Sequence, residues 1–125
     1  MPVGVRHREK DGEKEPTRKF SKRQETDIAN ALGGSRQPNS GATAWAKGDV
    51  KTEQFLLEAK TKTKPSETIT IHKDWIQKNR EEAVFMGKPY QAIVFNFGPG
   101  EENHYIIDED LFIELLEYLK DKPER

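Results

Sequence analysis

The chain has 125 residues, a length that suits one domain and leaves little room for two. Charged residues make up 34% and apolar ones 33%, and there is no cysteine. Disulfides, zinc–thiolate centres, iron–sulfur clusters and thiol nucleophiles are thereby excluded. The longest apolar runs, Phe55-Leu56-Leu57 and Ala92-Ile93-Val94-Phe95, are strand-sized, so no membrane-spanning helix is expected. The first residues are charged where a signal peptide needs an apolar core, so a cytoplasmic protein is the expectation.

The net charge of −1 hides a division along the chain: zero over residues 1–17, +5 over 18–64 and −6 over 65–125. A basic stretch that also carries carboxylates can attract a polyanion and keep a cation site. The same unevenness also describes an ordinary solvated surface.

Residues 1–19 read as a flexible arm. Ten of them are charged and only Met1, Val3 and Val5 are apolar, too little burial to offset ordering entropy. Residues 20–125 then form the single domain. A helix is predicted over 21–32, with Ser21 as N-cap and Gln24 completing a capping box. Ile28, Ala31 and Leu32 give it an apolar stripe, and Gly33-Gly34 stops it. Residues 35–42 read as a polar loop. A short strand is expected over 48–52 and a clearer one over 54–61, followed by a loop and a brief extended piece at 68–71.

A second helix is predicted over 73–86, with Trp75, Ile76, Asn79, Ala83 and Met86 on one side and Gly87 as its stop. Strands over 90–97 and 104–107 flank the turn Gly98-Pro99-Gly100. The last helix, 109–120, presents Leu111, Phe112, Leu115, Leu116 and Leu119 as a core-facing stripe. Acids 108–110 sit at its N-terminus, where the helix dipole favours them. The order is αββαββα, an α/β sandwich around a mixed central sheet.

Chemistry concentrates in residues 47–60. On a strand, Glu58 and Lys60 project from one face while Leu57 and Ala59 point to the other. Asp49, nine residues earlier on the pairing strand, can meet Glu58 across the hairpin. Two neighbouring carboxylates repel and call for a cation, and an all-oxygen set without cysteine selects Mg²⁺ or Mn²⁺ over zinc. A lysine two residues on can orient a water and stabilise charge on a phosphoryl group. An acid two residues before a lysine is a weak signal in so charged a chain; Asp49-Val50-Lys51 also fits, and a polar face on an edge strand explains the pattern as well. Elsewhere, no two of His7, His72 and His104 have ligand spacing, and Ser40 has no histidine partner for a serine-hydrolase triad. Trp75 reads as a packing residue; Trp45 reads as core, or as a contact to DNA or to a second subunit.

Taken together, Arg23-Gln24-Glu25, Ser40-Gly41-Ala42, Lys47-Gly48-Asp49-Val50 and Leu57-Glu58-Ala59-Lys60-Thr61 resemble the PD-(D/E)xK nuclease superfamily. The likeness is strongest to its Holliday-junction-resolvase branch and covers roughly residues 21–97. It implies a restriction-endonuclease-like fold and a Mg²⁺-dependent endonuclease, with Mn²⁺ as a substitute. By position, Glu25 matches the helix glutamate that completes the metal site, Asp49 the central metal-binding aspartate and Glu58 the second acidic ligand. Lys60 matches the lysine that places the attacking water, the Ala59 carbonyl an additional ligand, and Ser40 a loop serine near the active site. Where the family often has proline before the aspartate, this chain has Gly48, and its spacing of nine from Asp49 to Glu58 is short.

Arg36, Lys47, Lys62 and Lys64 flank these residues and are expected to contact DNA phosphates. Paired nicks in a four-way junction need a two-fold homodimer, to which Trp45, Phe95, Phe97 and Phe112 are candidate contributors. The alternatives are a nicking or repair nuclease without junction preference, and an inactive DNA-binding module on the same fold.

Overall fold

The computed structural model describes residues 19–37 and 49–123. The charged arm up to residue 18, together with Ser40, Trp45, Lys47 and Gly48, lies outside the described residues. Helix α1 covers residues 19–32. It is followed by β1 (Ser35–Arg36), β2 (Val50–Lys51), β3 (Phe55–Lys60), α2 (Lys73–Phe85), β4 (Tyr90–Phe95), β5 (His104–Ile106) and α3 (Glu109–Lys120). The five strands form one sheet in the order β1-β2-β3-β4-β5. Only β3 and β4 run parallel, and the thirteen-residue α2 is the crossover that this pairing needs. The chain is therefore α/β, with a mixed sheet and helices packed on it.

The core follows from strand alternation. Val50, Leu57, Ala92 and Val94 share one side of the sheet and are sealed by Ile28 and Ala29 of α1. Leu56 and Ile93 alternate to the other side, where α2 packs on β3 and β4 and buries Asn79 and Ala83. Sheet order and both helical layers thus converge on β3, whose every second residue meets a different helix. The rings of Phe55 and Tyr90, opposite each other in the parallel register, lie 5.2 Å apart and close the start of this pair.

Several elements differ from their sequence reading. Residues 19 and 20 are already helical, so Ser21 is a helical residue and not the cap of α1. β1 occupies part of what reads as a loop; Ser35 and Arg36 are polar and exposed, and pair with Lys51 and Val50 because β2 needs an antiparallel neighbour. Residues 68–71 join no ladder, since the nearest main-chain tie is Ser66 donating to Phe97 O. The strands predicted over 48–52 and 90–97 shorten to Val50–Lys51 and Tyr90–Phe95. Asp108 stands at the N-cap of α3, but its carboxylate is drawn away by Arg80 (2.9 and 3.0 Å) and Gln91 (2.7 Å). The stripe of α3 is buried at Leu111 alone; Phe112, Leu115, Leu116 and Leu119 stay exposed.

Two adjacent glycines end α1 for different reasons. Gly33 has φ +69°, the left-handed C′ position, and the Gly34 amide reaches back to Ala29 O at 2.9 Å. Gly34 lies so close to β2 that a Cβ would collide with the carbonyl oxygen of Lys51. Gly34→Ala is expected to cost about 1–3 kcal/mol by overpacking against backbone, and Gly33→Ala, with open space around it, about 1 kcal/mol from its φ alone. Urea denaturation checks the ranking, and the reverse order would refute the close approach of α1's end to β2.

Candidate active site

The β2–β3 register sets Val50 opposite Leu57 and Lys51 opposite Leu56. Asp49, the residue before Val50, donates its amide to Leu57 O at 2.9 Å, and its carboxylate meets the Glu58 carboxyl, with which it shares a hydrogen bond. The Ala59 amide donates to Asp49 Oδ2 at 2.7 Å. The Ala59 carbonyl points to the same edge of β3 by the geometry of an extended chain. Asp49 is thus fixed by a main-chain hydrogen bond and faces the carboxyl of Glu58.

Burial and the Asp49 charge act together on Glu58. Its pKa is raised from 4.5 to about 8 by desolvation first, then by Asp49 through charge and a side-chain hydrogen bond, with a smaller push from Glu82 of α2. Lys60 opposes this, its Nζ 3.8 Å from Glu58 Oε1. The same ammonium lies 4.5 Å from the centre of the Trp75 ring. Lys60 is therefore held between a carboxyl on its own strand and an indole on α2, a favourable cation–π arrangement.

Glu25 approaches from α1. Its carboxyl is raised by burial and by Asp49, and partly returned by Arg36. Arg36 of β1 donates to Glu25 Oε1 at 3.4 Å, so this acid is tied to the edge strand while feeling the Asp49 charge. Among the described residues no three His, Asp or Glu side chains converge closely enough to hold an ion by themselves. The local donors are the Asp49 and Glu58 carboxylates and the Ala59 carbonyl. Two carboxylates, a carbonyl and water are hard oxygen donors of the kind a hydrated Mg²⁺ accepts, so the chemistry of the set fits that ion.

The flanking cations have different surroundings. Arg36 is spent on Glu25, Lys62 reaches Ser66 Oγ at 3.2 Å, and Lys64 is exposed. Ser40 and Lys47 lie outside the described residues. Three participants were not marked as site residues by the sequence. Trp75 reads as packing but lies on Lys60. Glu82 adds its charge to Glu58. Gln24, read as half of a capping box, is buried and donates to the Lys60 carbonyl at 2.8 Å, pinning α1 to the end of β3. The available signal for Gln24 was its place one helical turn before Ile28, on the core face of α1.

A scan against protein-family models finds no match for this chain, and neither curated proteins nor solved structures yield one.

In the unfolded chain Glu58 loses its proton near 4.5, and in the folded metal-free protein it keeps it to about 8. Between these values the folded state binds more protons than the unfolded one, so stability falls as pH rises through that window. Glu58→Gln removes this dependence. Calorimetric melting in EDTA at pH 5 and pH 8.5 should show the variant losing less stability than wild type; equal losses would mean that burial and Asp49 do not hold the proton on Glu58.

Proposed function

We propose that this chain is a metal-dependent DNA endonuclease of the PD-(D/E)xK kind, and that its substrate is branched DNA cut by paired nicks. The observation that carries the reading is the meeting of the Asp49 and Glu58 carboxyls beside the Ala59 amide, with Lys60 held on the same face as Glu58. A strand pair that gathers two carboxyls and an amine in a partly buried place is costly for a purely structural sheet. It is useful to an enzyme that must neutralise a phosphodiester.

Asp49 and Glu58, with the Ala59 carbonyl, would hold Mg²⁺; bound there, the ion supplies a Lewis acid for the scissile phosphate and a more acidic water. The chain's own residues do the rest. Asp49 is kept in one orientation by the Ala59 amide, so the cation-facing oxygens need no reorganisation. Lys60, fixed by Glu58 and Trp75, orients the attacking water and sets positive charge beside the phosphate oxygens. Gln24 holds the Lys60 carbonyl and so ties the position of that strand to α1. In-line attack at phosphorus then releases a 3′-hydroxyl and leaves a 5′-phosphate. Lys62 and Lys64, just beyond β3, would contact neighbouring phosphates of the DNA backbone. The mixed sheet with α1 and α2 agrees with a restriction-endonuclease-like sandwich, and cutting both strands of a junction requires two copies of the chain.

The test is cleavage of a labelled four-way junction beside its matched linear duplex, in Mg²⁺ and in EDTA. Symmetric nicks confined to the junction and dependent on Mg²⁺ are expected. Asp49→Asn should abolish them, and Lys60→Ala should slow them by about 10²–10³-fold. Equal cutting of both substrates would remove the junction preference; no cutting by folded, DNA-binding wild type would overturn the enzyme.

A further inference from the structure

The cross-strand row that holds Lys60 does not end with it. In the parallel register Lys60 stands beside Phe95, and in the antiparallel register Phe95 stands beside His104. Residues in register share a face, so all three project to the α2 side of the sheet, as Glu58 does. Their rings gather there. Phe95 and His104 are stacked at 5.3 Å, and the Phe97 ring lies 5.4 Å from the first and 5.6 Å from the second. Earlier in β4, Ala92, Ile93 and Val94 are at most 2% exposed. The three rings are only half-buried, and the His104 side chain is 42% exposed.

The surroundings of this cluster identify what it suits. It adjoins a fixed cation, because the strand spacing of about 4.8 Å puts Phe95 one step from Lys60 and His104 two steps. Lys62 and Lys64 leave β3 at the same end of the sheet. A flat ring carried a short way from a phosphate is a nucleobase, and base–aromatic stacking accepts any sequence because every base has a π face. Trp75 is already engaged by the Lys60 ammonium at 4.5 Å and by the His72 ring at 4.9 Å, which leaves the rings of β4 and β5 for a base. A cluster that only closed the 98–103 turn would be served as well by leucine as by stacked rings.

We infer that Phe95, Phe97 and His104 form a stacking shelf for an unpaired base of the DNA strand whose phosphate lies at Lys60. This deepens the proposed function and takes the position of the phosphate from it. The strand being cut is then held with one base out of its stack, beside the cut. Taking a base out costs least where pairing is already interrupted. The shelf therefore favours a branch point over continuous duplex.

Binding measured in EDTA tests the shelf without any cleavage. Fluorescence anisotropy compares a labelled oligothymidylate with an abasic oligomer of equal length at one salt concentration, since the two share their phosphates and differ in the bases. Wild type should bind the oligothymidylate at least about fivefold more tightly. His104→Ala and Phe97→Leu, the second keeping apolar volume without a ring face, should each reduce that preference to below about twofold. Their affinity for the abasic oligomer and their far-ultraviolet dichroism should stay as in wild type. Phe97→Tyr, which keeps the ring, should keep the preference. Equal wild-type affinity for the two oligomers, no affinity for either, or a preference that survives both His104→Ala and Phe97→Leu would overturn the inference. A junction left uncut would not alter these affinities, and equal affinities would not prevent cutting, so the two readings fail separately.

Discussion

The pairing of β2 with β3 brings the Asp49 carboxylate against the Glu58 carboxyl, and the rest of the site follows from that one constraint. Two carboxyls in a partly buried place cannot both carry charge without help. In the protein as it stands the conflict is met by a proton kept on Glu58, by Lys60, and by an amide donated to Asp49 from Ala59. Each is an incomplete substitute for a cation. The arrangement survives because Val50 and Leu57, directly behind it, lie in the core under Ile28 and Ala29, where a register slip would turn every apolar side chain of the strand to the wrong face.

The helices hold the same point from two sides. α1 closes one face with Ile28 and Ala29, and its Gln24 grasps the Lys60 carbonyl. α2 closes the other and sets Trp75 over the Lys60 ammonium. Lys60 is consequently fixed at its backbone by one helix and at its charged end by the other. Glu25 takes a more distant part. It is held by Arg36 of β1, so the edge strand that the sequence reads as loop is also what positions this acid.

Much of this was legible in the residues because it is local. Period-two alternation in Phe55–Lys60 gave β3 and placed Glu58 and Lys60 on one face, and a hairpin of nine residues made contact with Asp49 geometrically available. Helical spacing gave α2 and α3 nearly to the residue, and Gly87 marked the stop of α2. What stayed hidden depends on partners distant in sequence. Ser35 and Arg36 have no strand character of their own and are recruited by β2. Asp108 looked like a capping acid until Arg80, 28 positions away, claimed it. The stripe of α3 announced an apolar face, but periodicity cannot say what covers one, and the domain does not.

Direct binding of Mn²⁺, as a spectroscopic stand-in for Mg²⁺, tests most simply the proposal that Asp49 and Glu58 form a cation site rather than a structural pair. The electron paramagnetic resonance signal of free Mn²⁺ should disappear as ion is taken up at one equivalent per chain. It should persist in Asp49→Asn, while Lys60→Met, which leaves both carboxylates in place, should still bind. Equal uptake by wild type and Asp49→Asn, or none by either, would contradict the account.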